Sequence, residues 1–113
     1  MTAGVYDSAN VVREPIELLR DMLEEQFVTH TNRLTELTVY GRLPGHGGYD
    51  PDALRVLAAA AREGIADTAQ ALRRMSEGSY GVCEGCHNDI PLDRLRALPH
   101  VPYCVSCQRR QPR

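Results

Sequence analysis

From Ile16 to Val39 the chain contains neither Gly nor Pro, and its apolar or seam positions fall at Ile16, Leu19, Leu23, Phe27, His30, Leu34 and Leu37. Steps of three and four residues put all seven on one narrow stripe of a helix. Arg20, Glu24, Glu25, Asn32 and Glu36 lie opposite it. A second stripe runs through Leu54, Ala58, Ala61, Ile65, Thr68, Leu72 and Met75, nearly a strict heptad. Small side chains at Ala58 and Ala61 allow a partner helix to approach closely. Gly64 costs this helix about 1 kcal/mol relative to Ala without interrupting the pattern.

Between the stripes, residues 41–49 (GRLPGHGGY) break the helix with Gly41, Gly45, Gly47, Gly48 and Pro44. Asp50-Pro51-Asp52 then restarts it, with an acid at the N-cap, a proline at the first helical position and a second acid in the first turn. Pro15 is suited to the first turn of the earlier helix, where Glu14, Glu17 and Asp21 complement the helix dipole. Gly78 and Gly81 close the second helix. The pattern predicts a mainly α fold. Residues 1–14 form a flexible lead-in, 15–78 a long antiparallel helical hairpin with its tip at 41–52, and 79–113 a small finger with a short basic tail. Each arm would be roughly 35–40 Å long. Most stripe residues serve packing alone, and so thin a seam also leaves a dimeric four-helix bundle open.

Composition sharpens this picture. Of 113 residues 42% are hydrophobic but only 5% aromatic, so a thick core is not available and a staple is needed. A formal net charge of −2 gives no overall drive towards nucleic-acid phosphates. All 13 basic residues are Arg, which removes lysine chemistry altogether. No run of about 18 apolar residues is present, so no membrane span is expected. The N-terminal residues lack the basic and apolar regions of a signal peptide, and a cytoplasmic location is expected.

The staple is supplied by cysteine. Cys83-Glu84-Gly85-Cys86 and Cys104-Val105-Ser106-Cys107 form two Cys-x-x-Cys pairs separated by 17 residues. In a reducing compartment that spacing points to a four-thiolate zinc site, each pair giving two corners of a tetrahedron. Ile90, Leu92, Leu95, Leu98, Val101 and Tyr103 are too few to fold this segment alone, so one structural Zn2+ would supply much of its folding free energy. Iron–sulfur and redox dithiol chemistry are the other readings of the same cysteines. His87 could compete as a ligand, but four thiolates already suffice. A closed four-thiolate site has no open position for catalysis. No nucleophile–base pair is evident, and Gly45-His46-Gly47-Gly48 joins two helices rather than following a strand. The chain is therefore not expected to be an enzyme. His46 reads as a loop residue and His30 as a seam histidine.

The run Gly78-Ser79-Tyr80-Gly81-Val82-Cys83-Glu84-Gly85-Cys86, followed by Ile90, Arg94, Pro99, Cys104 and Cys107, resembles the zinc finger of the DksA/TraR family. The hairpin agrees in position and length with the coiled coil of the longer members, which extends the resemblance to about residues 15–107. The resemblance implies a regulator that binds bacterial RNA polymerase, inserts its hairpin into the secondary channel and modulates initiation without reading a DNA sequence. It also implies an acidic effector tip, for which Asp50 and Asp52 are the candidates here. Arg94, Arg96, Arg109 and Arg110 are candidate contacts to the polymerase rim or to phosphate, with an ordinary solvated surface as the alternative.

Two features depart from the family pattern. Ala53 stands where a second Asp would be expected and Arg55 where an Ala would be, so helix capping competes with an effector role for Asp50 and Asp52. Leu98 stands where an Arg precedes the finger's proline in nucleotide-responsive members. With no Lys in the chain, guanosine tetraphosphate binding in the family's manner is not expected. A zinc-stapled coiled-coil adaptor with another partner and a thiol or zinc redox sensor are the competing functions.

Overall fold

The computed structural model describes residues 8–112, with side chains from Pro15 onward. Residues 1–7 of the expected lead-in and Arg113 lie outside the described residues. Helix α1 spans Ser8–Arg42 and helix α2 spans Pro51–Glu77. At 1.5 Å per residue they are about 52 Å and 40 Å long. They pack antiparallel, and the molecule is elongated, 58 × 41 × 22 Å. Helix α1 begins earlier than the sequence suggests. Pro15 lies inside it rather than in its first turn, because residues 8–14 contain no helix breaker of their own and the helix continues through the proline's missing donor.

The predicted stripes meet along most of their length. Leu19, Leu23 and Leu37 of α1 are buried, as are Leu54, Ala61 and Thr68 of α2, while Phe27, His30, Leu34, Ala58, Ile65, Leu72 and Met75 are half-buried. Ile16 departs from the stripe, at 44% exposure. Thr68 is accommodated in the seam because its hydroxyl donates to the carbonyls of Gly64 (2.8 Å) and Ile65 (3.1 Å). Gly64 is more than a tolerated defect. A Cβ there would lie 2.6 Å from three atoms of the His30 imidazole, so the missing side chain seats that ring.

The arms are joined by a left-handed turn. Gly45, His46 and Gly47 have φ of 77°, 54° and 61°, a run in which the flanking glycines avoid the Cβ penalty. The rings of Tyr40 and Tyr49 pack across the turn with centroids 5.4 Å apart.

Beyond Gly78, which caps α2 with φ 81°, the finger folds back on the open end of the hairpin. Gly81–Ile90 forms a small hairpin, closed by Ile90 N–H to Gly81 O (2.7 Å) and Cys83 N–H to Asn88 O (2.8 Å). Two short helices follow, α3 (Leu92–Ala97) and α4 (Val105–Arg110). The finger has no separate core. Ile90, Leu95, Val101, Cys83 and Cys107 pack in one cluster with Leu19 of α1, flanked by Met22 and Met75. Leu92 and Leu98, expected in this cluster, are about 40% exposed.

Candidate metal centre and hairpin tip

Cys83 and Cys86 sit on the turn that begins the first knuckle, which closes by donation from His87 N–H to Cys83 O (2.8 Å). Cys104 is the N-cap of α4 and Cys107 lies one turn into that helix. Glu84 N–H donates to Pro102 O (2.8 Å), tying the first knuckle to the segment that leads into the second. All four sulfurs lie within 4.8 Å of one another. Cys86 Sγ and Cys104 Sγ are 3.9 Å apart, close to the edge of about 3.8 Å that four Zn–S bonds of about 2.3 Å require. The donors are therefore of the right type, number and spacing for zinc. Among the described residues, no other group of three or more His, Cys, Asp or Glu donors is gathered this closely. His87 is exposed, in a left-handed conformation (φ 64°), and is not part of the group.

The sulfurs are not equivalent. Cys83 and Cys107 are buried, Cys104 is half-buried and Cys86 is exposed. Burial pushes the Cys83 thiol up, but the N–H groups of Cys104, Cys86 and Gly85 aim at its sulfur and outweigh that effect, holding it at about 6. Those from Gly85 and Cys104 lie at 3.3 Å. Cys107 is pushed the other way, to about 12, first by its contact with the Cys83 sulfur and then by burial. One thiolate is thus prepared by backbone donors before any metal arrives, the kind of outer interaction that orients metal ligands. The site is structural in kind, and the chain carries one four-cysteine zinc site.

The finger is fastened to the hairpin by a residue that sequence patterning missed. Arg74 of α2 is buried at 8% exposure. Its Nη2 donates to His100 O (3.2 Å), and its Nη1 lies 3.7 Å from Glu84 Oε2. It therefore touches the first knuckle and the approach to the second at once. Tyr80 OH donates to Pro99 O (2.9 Å), and burial pushes that hydroxyl up to about 12. The Arg73-Arg74 pair carries no periodic signal. Only the phase of Arg74 beside Ala71 and Met75 at the end of the stripe hints that it faces inward.

At the tip, Asp50 Oδ2 accepts from Asp52 N–H (3.0 Å) and Ala53 N–H (3.2 Å), the N-cap of α2. Asp52 is exposed and paired with Arg55. Both acids are thus engaged within the chain. The Arg candidates divide. Arg94 Nε donates to Tyr103 O (2.9 Å), immediately before Cys104, so this side chain braces the second knuckle. Arg96 on α3 and Arg109 and Arg110 on α4 are exposed.

The family model for the prokaryotic dksA/traR C4-type zinc finger matches residues 78–113. Over 52 residues the chain is 44% identical to the RNA polymerase-binding transcription factor DksA of Caulobacter vibrioides, covering 46% of this chain and 37% of that protein. Over 47 residues it is 40% identical to general stress protein 16O of Bacillus subtilis, covering 42% of this chain and 29% of that protein. The chain thus spans well under half the length of these relatives. The solved structure of transcription factor DksA2 from Pseudomonas aeruginosa superposes with a TM-score of 0.71 at 23% identity, over 93% of this chain and 88% of that one. That likeness shows the fold. Among the described residues, no helix is long and apolar enough to cross a membrane.

Proposed function

We propose that this chain, a member of the DksA/TraR family by its zinc finger, is a transcription regulator. It binds bacterial RNA polymerase in the cytoplasm, enters the secondary channel with its hairpin and modulates initiation. One observation carries the reading: a family-type four-cysteine finger, Cys83, Cys86, Cys104 and Cys107, is fastened to the base of a hairpin whose whole fold matches a DksA protein. In this reading zinc holds the finger in shape and the hairpin makes the approach to the polymerase. Arg96, Arg109 and Arg110, exposed on one end of the molecule, supply cationic contacts. Arg94 contributes by bracing the second knuckle.

The tip works differently from an acidic pair pointing outward. Asp50 is committed to capping and Asp52 to Arg55, so the reading separates binding from the effect on catalysis. The test is co-purification with core RNA polymerase together with initiation assays on purified components, repeated with Asp50→Asn and Asp52→Ala. Asp50→Asn keeps an N-cap but removes the charge. Binding by the parent chain is expected to survive both changes. Absence of binding and of any change in initiation at micromolar protein would refute the proposal, and capture of a different dominant partner would favour the adaptor reading.

A further inference from the structure

Helix α2 carries charge in a symmetric arrangement on the face that points away from α1. Asp52, Ala59, Ala66 and Arg73 recur every seven residues along it and are all exposed. They stand two residues, about 200° around the helix, from Leu54, Ala61, Thr68 and Met75, which recur at the same spacing in the seam. The helix therefore has two heptad registers on opposite sides, one filled by α1 and one without a partner in the chain. On the outer register Arg62 and Glu63 lie side by side at the middle. Asp52 lies ten residues before Arg62, and Arg73 ten residues after Glu63. Arg62, Glu63 and Arg73 form no ion pair among the described residues, and Asp52 is engaged only by Arg55, one turn away. The side chains between these charges are short or apolar: Val56 is 68% exposed, and Ala69 is exposed as well.

We propose that a second copy of this chain covers this face, the two α2 helices running antiparallel about a two-fold axis that passes between residues 62 and 63. In that register Arg62 meets Glu63 of the second copy and Glu63 meets its Arg62. At either end Arg73 of one copy meets Asp52 of the other. The charges are thus self-complementary, as a two-fold interface requires. Ala59 faces Ala66 and Val56 faces Ala69, so nothing bulky holds the axes apart and they can approach the short end of the usual range of about 8–10 Å. A parallel pair would set Arg62 on Arg62 and Arg73 on Arg73. A slip of one heptad in either direction separates Arg62 from Glu63 and Arg73 from Asp52. Charge therefore selects one orientation and one register. A single pair of helices buries less than the roughly 1,200 Å2 of a standard interface, so the dimer is a weak one. Pairing doubles the thickness of the hairpin at α2, and any partner that takes up the single hairpin competes with it.

This association does not depend on the polymerase reading. The test is sedimentation of the full chain, zinc-loaded, at concentrations up to about 1 mM. A monomer–dimer equilibrium is expected, and it should weaken as salt is raised. Arg62→Glu and Glu63→Arg, both at exposed positions, each set like charges together across the axis and should each weaken the dimer at least about tenfold. Combined in one chain, the two changes exchange the charges and keep the pairing, so the double variant should recover the dimer. That recovery separates an interface from an effect on folding. The proposal is overturned if the parent stays monomeric throughout, if the single reversals dimerise as the parent does, or if the double variant is as weak as the singles.

Discussion

Replacing Arg74 by Met removes the guanidinium while keeping most of the buried stem. The donation to His100 O at 3.2 Å is a charge-assisted hydrogen bond in a site where the side chain is only 10% exposed. Such bonds contribute about 1.5–3 kcal/mol. The contact with Glu84, at 3.7 Å to a carboxylate that is half exposed, adds at most about 1 kcal/mol. Part of the loss is recovered by water reaching the His100 carbonyl, which leaves a net destabilisation of about 2 kcal/mol. For a domain near 100 residues, 1 kcal/mol corresponds to roughly 4 °C or more in Tm, so the zinc-loaded variant should melt about 8 °C lower. Circular dichroism of the loaded chain reads this directly, and hydrogen exchange should place the loosening in the finger amides rather than in the hairpin seam. Arg74→Lys keeps the charge but not the planar fork, and should lie between the two. Glu84→Gln should shift Tm by no more than a few degrees. An Arg74→Met chain that melts within a degree or two of the parent would refute the assignment of Arg74 as the fastening between the two parts.

Three other outcomes follow from the geometry. Asp50→Ala should cost about 1 kcal/mol in urea unfolding through loss of the α2 cap, and Asp50→Asn should restore it; equal stability of all three would argue against capping. Chelation of zinc should unfold the finger while most of the far-ultraviolet helix signal persists, because the finger shares a small cluster with Leu19 and the arms keep their own seam. Zinc uptake at neutral pH should release protons, since Cys107 is held up at about 12 and must lose its proton to bind. Affinity therefore rises with pH there, and above about pH 6 Cys83 adds nothing to that dependence. Calorimetry in buffers of different ionisation enthalpy measures this release, and none at all would contradict the account.

The hairpin was legible because burying one stripe per helix leaves a strong periodic trace. The burial of Leu19, Leu23 and Leu37 on α1 and of Leu54, Ala61 and Thr68 on α2 was readable from spacing alone. The cysteines were legible for a different reason: two short loops that must each present two thiolates tolerate few spacings. Other features left no such trace. Helix start depends on how far local hydrogen bonding carries through Pro15, which no single residue signals. Whether Leu92 and Leu98 are covered depends on how the finger docks, a long-range matter, and so does the burial of Arg74. The left-handed run at the tip was visible only as a break, since its glycines announce freedom rather than direction. The seating of His30 over Gly64 needed both helices in register before the glycine had a reason.

The contact of Arg74 with both sides of the finger also has a geometric gain. From Arg74 to Asp50, α2 is a continuous rod of about 36 Å. A tilt of about 10° at the Arg74 end therefore carries the tip through about 6 Å, more than a full helical turn. A hydrogen bond and an ion pair at one end of the molecule thus set the aim of the other, and a finger that shifts slightly on its seat points the hairpin somewhere else.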